Sequence, residues 1–147
     1  MTRADTFVNF TYAMTLLAPV VAFVSFRLPR DVHRKVQVGL VTLCWLAVLV
    51  LEVRIRLEGG SGSFIAQAPT HLHGLARTLL RVHIGGAVLT YAVWSWLAVA
   101  SWRRFRSALP GPFSRRHRLL GWSVFGGLCF TAASATGMYV LTFVRNA

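Results

Sequence analysis

The sequence predicts an all-α integral membrane protein: a four-helix transmembrane bundle built as a single domain over residues 1–147. Three observations carry that expectation. Hydrophobic residues make up 55% of the chain and the mean hydropathy is +0.56, too apolar for an ordinary soluble domain. The apolar residues come in four blocks rather than stripes, each near the 20 residues or so that cross roughly 30 Å of hydrocarbon. The basic residues, by contrast, gather in the joints between the blocks and at the ends of the chain.

The four spans are expected at about 7–26, 36–56, 76–102 and 119–144. Each is hydrophobic on nearly all sides, as lipid-facing helices are. The first follows "MTRADTFVNF", where one Arg is offset by one Asp, and its apolar run is about twice the usual signal core. It reads as a retained span. Asn9, Thr11, Tyr12, Thr15 and Pro19 turn part of it toward other helices, and "RLPRD" ends it, because Pro29 and Asp31 favour a turn. Span 2 closes at "LEVRIRLEGGSGS", where three glycines and two serines stop a helix. An external loop of about twenty residues follows, with enough apolar positions to lie along the interface. Span 3 brings Trp94, Trp96 and Trp102 toward the membrane boundary, where an indole has an apolar body and a polar tip. "LPGP" then breaks the chain. In span 4 the row Ser123, Gly127, Thr131, Ala135 places small residues on one face, a signal of close helix packing.

The formal charge of +12 does not indicate a nucleic-acid partner, because of where it lies. Ten of the 16 basic residues fall in two joints, "FRLPRDVHRK" and "WRRFRSALPGPFSRRHR". Lys and Arg beside span ends stay on the cytoplasmic side. Joints 1–2 and 3–4 are therefore expected in the cytoplasm, with both termini and joint 2–3 on the external, periplasmic side. The arginines then meet anionic lipid head groups.

Function classes can also be excluded. There is no Walker loop, G-x-S-x-G, H-E-x-x-H or C-x-x-C. The chain has only four acidic residues, and only Glu52 falls near a span interior, which removes a paired-carboxylate hydrolase. The sequence carries no catalytic motif and is read as a non-enzyme. Cys44 and Cys129 lie mid-span and read as small apolar residues rather than a disulfide framework. A copper site would combine Cys and Met with His, and no spacing enforces one here.

Ionisable groups in or beside a span face the bundle interior or mark a functional path. A rise of 1.5 Å per residue converts position into depth. Two clusters emerge. The outer one holds Glu52, Arg56, Arg81 and His83, with His71 and His73 in the loop above. Its bland reading is a paired membrane boundary with snorkelling arginines. Its functional reading is a metal held by His71, His73, His83 and Glu52, or a haem edge at His83 whose carboxylates meet Arg56 and Arg81. The inner cluster is His33 and His117, at matching depth on two parallel spans, with Gly39 and Gly121 on the next turns. Solvated histidines among arginines are the bland reading; axial ligation of haem in a bundle core is the sharp one.

"VHRKVQVGL", "RVHIGGAVL", "RRHRLLGW" and "TAASATGMYVL", in that order, resemble the YozB/CtaM-type membrane proteins, the domain of unknown function 420 family. The resemblance covers about residues 30–144. It implies a small four-span protein of the bacterial inner membrane that helps make haem–copper terminal oxidases functional. His33, His83 and His117 would be the characteristic histidines, with Thr136 and Gly137 the Thr-Gly of span 4. The charged "EVRIRLEGG" and the basic 3–4 joint depart from the pattern and leave a different partner complex open. Three functions are thus expected, in this order. The first is an accessory or assembly factor for a respiratory oxidase, binding haem or metal through membrane-boundary histidines. The second is a haem-b electron-transfer or membrane-anchor subunit, and the third a cofactor-free accessory subunit of a larger membrane complex.

Overall fold

A computed structural model describes residues 6–104 and 112–144. Among them every regular element is helical: α1 (Thr6–Ser25), α2 (Arg30–Leu57), α3 (Ser61–Ala66), a 3₁₀ turn (Thr70–Leu72), α4 (His73–Arg104), α5 (Pro112–Tyr139) and a closing π-turn (Val140–Val144). Four helices are long and apolar enough to cross a membrane. The protein is a multi-pass helical bundle.

The long helices match the expected spans, with systematic differences at their ends. α2 begins six residues before the expected 36 and α5 seven before the expected 119. The sequence reading stopped each span where charge begins, but a helix need not stop at the hydrocarbon boundary. Arg and Lys are good helix formers in water, and Pro29 and Pro112 sit at the starts, where a missing N–H costs nothing. The "LPGP" break falls mostly at 109–111, outside the described residues, as does Arg106. The joint between α2 and α4 is not plain loop either. α3 and the 3₁₀ turn fill it, and Ile65 and Ala68 are buried against Ala76 and Leu80 at the start of α4. Gly59 and Gly60, at φ +96° and +82°, make the reversal after α2 in the left-handed region that favours glycine.

The helices pack in a closed ring: α1 lies against α2 and α5, and α4 against α5 and α2. That leaves α2 and α5 facing each other across one diagonal. The core takes side chains from all four, with Ala18 and Ala22, Leu40 and Cys44, Tyr91 and Trp94, Val124 and Leu128 all buried. The outer surface is apolar: Leu17, Leu43, Leu89 and Leu119 are all more than half or nearly two-thirds exposed. Such a surface suits hydrocarbon.

The α4–α5 seam is the tightest. A Cβ on Gly127 would collide with the Thr90 side chain, and one on Gly86 would collide with the Phe130 ring. Of the small-residue row in span 4, Gly127 and Thr131 do face a neighbour, while Ser123 is exposed. Cys44 is buried in the core and Cys129 exposed.

Candidate functional site

The inner histidines come together. His33, near the start of α2, and His117, one turn into α5, approach across the diagonal with ring centroids 6.3 Å apart and planes at 82°. They line a cavity of about 580 Å³ at the arginine-rich end of the bundle. Its walls include Phe26, Leu28, Trp94, Leu97 and Trp122, and its polar groups include Gln37, Ser101 and Ser114.

Each ring is held from behind. The His33 Nδ1–H donates to the Ser25 carbonyl at 3.0 Å, which leaves the neutral ring's lone pair on Nε2. Ser25 is fully buried at the end of α1, and its hydroxyl donates to the Ala22 carbonyl (2.7 Å). That hydroxyl oxygen accepts from Gln37 Nε2 (2.6 Å), and Gln37 Oε1 accepts from the Trp94 indole N–H (2.8 Å). The relay ties α1, α2 and α4 together behind one imidazole. On the other side His117 Nδ1 and Ser101 Oγ share a hydrogen bond of 2.8 Å, tying α5 to α4. Such partners fix the orientation of a ligating imidazole.

Arg30, Arg34 and Arg118 also line the cavity, and among the described residues no Asp or Glu does. The Arg34 guanidinium lies 4.9 Å from the centre of the Trp102 ring. Its Nε is buried and has no hydrogen-bond partner among the described residues. Gly121 lines the wall one turn beyond His117, and a Cβ there would meet nothing within 4 Å. Gly39, the other glycine expected beside a macrocycle, is exposed and does not line the cavity.

The outer cluster is not assembled. Glu52 pairs along its own helix with Arg56 at 2.7 Å, both side chains at least half exposed. His73 Nε2–H donates to the Ala68 carbonyl (2.8 Å), and His71 and Arg81 are exposed. His83 points across the α4–α5 seam, its Nδ1 2.9 Å from Ser134 Oγ, which itself donates to the Phe130 carbonyl. Among the described residues no group of three or more His, Cys, Asp or Glu comes together. The expected metal set of His71, His73, His83 and Glu52 is therefore corrected. Helix azimuth sends these side chains to different faces. Arg56 and Arg81 likewise stand far from the paired histidines: Arg56 is 23 residues, about 34 Å, along α2 from His33.

The residues sequence reasoning missed are Arg30, Arg34 and Arg118, read only as orienting charge, and the supporting Ser25, Gln37, Trp94 and Ser101. A signal existed. Arg30 and Gln37 lie at i−3 and i+4 from His33, and Ser114 and Gly121 at i−3 and i+4 from His117, the spacings that share a helix face.

Away from the chamber a second polar cluster joins α1 to α5. Tyr12 and Tyr139 stack at 4.4 Å, the Tyr139 hydroxyl donates to Asn9 Oδ1 at 2.6 Å, and Tyr12 meets Thr136 Oγ1 at 3.1 Å. Every part of it is partnered, which marks it as helix-to-helix glue.

Fold and site together define a class: a multi-pass helical membrane protein with a histidine-paired, arginine-lined chamber at its basic end. In comparisons with known proteins the chain matches no family model, no curated protein and no solved structure.

Proposed function

We propose that this chain is a small accessory factor of the bacterial inner membrane that holds haem between His33 and His117 on behalf of a respiratory haem–copper oxidase. The supporting observation is the 6.3 Å between the two imidazole centroids inside one chamber. Two imidazoles sharing one metal, with metal–nitrogen bonds of about 2.0–2.1 Å and roughly 1.2 Å from ring nitrogen to ring centre, would have their centres up to about 6.4 Å apart. A lone-pair nitrogen on His33, held by a backbone carbonyl, is the form a metal needs.

The rest of the chamber suits the same group. Its volume of about 580 Å³ lies within the ordinary range for a bound small molecule. Aromatic walls suit a flat macrocycle, and Gly121 leaves space beside one ring. Arg30, Arg34 and Arg118 supply forked donors for its carboxylates, replacing the outer Arg56 and Arg81 in that role. Haem bound there would supply an iron centre. The chain's own residues orient the imidazoles, and the arginines would hold the carboxylates of a bound haem. The family resemblance of the histidine motifs joins this chamber to oxidase maturation, and the positive-inside rule turns its basic end to the cytoplasm.

The test is haem titration of the purified full-length protein, read by its absorption spectrum, beside oxidase activity in cells lacking the protein. The expected result is a b-type spectrum abolished in both His33→Ala and His117→Ala, retained in His83→Ala, and loss of oxidase activity in the cells. Haem binding indifferent to His33 and His117 would overturn the site. Full oxidase activity without the protein would overturn the role.

A further inference from the structure

A second hollow, a groove of about 400 Å³, runs along the outer seam between α2 and α4. Val41, Thr42, Trp45, Val99, Trp102 and Arg103 line it, and Val38 and Ala98 line both it and the histidine chamber. One end is closed by the Trp45 indole N–H, which crosses the seam to donate to Ser95 Oγ at 2.9 Å. The other end is basic. There Arg34 of α2 stacks on Trp102 of α4, with the exposed Arg103 beside them. From Ser95 to Trp102 is seven residues, about 10 Å of groove.

The walls are mostly apolar and belong to two membrane-spanning helices, so what meets them is hydrocarbon. The rim has the opposite character. Among the described residues no Asp or Glu lines either hollow, and the Nε of Arg34, which lines the chamber, is buried without a hydrogen-bond partner among them. Buried donors are normally paired, and arginines at a membrane boundary attract acidic head groups. An apolar slot ending at Arg103, with Arg34 stacked behind Trp102 and no carboxylate among its described lining, complements a molecule with a hydrocarbon chain and an anionic head.

We propose that the α2–α4 groove is a binding site for an acidic phospholipid, with one acyl chain in the seam and its phosphate at the Arg34–Arg103 rim. Neither histidine lines the groove, and Arg103 lines the groove alone; Arg34 lines the chamber and reaches the groove through its stack on Trp102, so it is the one arginine the two sites share. Such a site makes the bilayer a ligand of the protein as well as its solvent.

The probe is the full-length protein in nanodiscs of phosphatidylcholine and phosphatidylglycerol, with retained lipid counted by native mass spectrometry. One phosphatidylglycerol per chain should survive release from the disc, enriched over its bulk share. Filling the groove with Thr42→Trp or Val99→Trp should remove it, whereas Leu17→Trp on the exposed face of α1 should not. Arg34→Gln and Arg103→Gln should each lower the preference for the acidic lipid roughly 5-fold. The arginine variants answer the question even where a tryptophan disturbs the fold. Lipid retained at its bulk ratio, or a preference unchanged by both arginine replacements, would overturn the proposal.

Discussion

Gln37 is the side chain on which the chamber turns. It accepts from Trp94 and donates to Ser25, whose carbonyl holds His33, so one amide links three helices behind one ring. Hydrogen bonds inside membrane bundles contribute about 0.6 kcal/mol on average and up to about 1.7. Gln37→Leu strands the indole N–H and removes a donor to Ser25, so a loss of about 1–2 kcal/mol is expected, read as a lower unfolding midpoint in detergent. An unchanged midpoint would mean that the relay is incidental. The Glu52–Arg56 pair behaves differently, because both side chains are at least half exposed. Glu52→Gln should shift stability by less than about 1 kcal/mol and leave haem binding untouched, a result that distinguishes a boundary ion pair from a ligand cluster.

Among the elements, α4 and α5 form the most closely packed pair in the bundle. Their approach depends on two glycines. Gly127→Ala drives a methyl into Thr90, with an expected cost of about 1–3 kcal/mol, and Thr90→Ala in the same chain should recover part of it. Gly85→Ala, next to the Gly86 that does matter, meets nothing within 4 Å and should be neutral or mildly stabilising. Thermal unfolding of the three variants checks the ordering. This contrast bears on what the sequence could reveal. The four spans were legible because length and apolarity decide membrane insertion. The shared depth of His33 and His117 was legible because a helix rises by a fixed amount per residue. Azimuth was not. Glu52 and His83 were assigned a similar depth, yet one points to the exterior and the other across to Ser134, and only the packing of whole helices decides that. The glycine pair of span 3 shows the same limit: Gly85 and Gly86 are neighbours in sequence, and one of them alone packs tightly. α3 was hidden for a different reason, since six residues are too short for periodicity to speak.

At the scale of the molecule, the ring order of the helices is what makes a chamber. With α2 and α5 on a diagonal, a histidine from each meets its counterpart, and arginines of the same end become walls of the site. Gly121→Leu tests that arrangement. It fills open space rather than colliding, so the protein should fold with little change in its unfolding midpoint and lose haem affinity at least ten-fold; unaltered affinity would place the ligand elsewhere. The most direct measurement is the dithionite-reduced minus oxidised absorption spectrum of the protein in mild detergent after haem loading, with metal analysis on the same sample. The paired-imidazole chamber predicts a b-type spectrum with one iron per chain when saturated, abolished by His33→Ala and by His117→Ala alike. A sample that takes up no haem, or a spectrum that disappears only with His83→Ala, would contradict it.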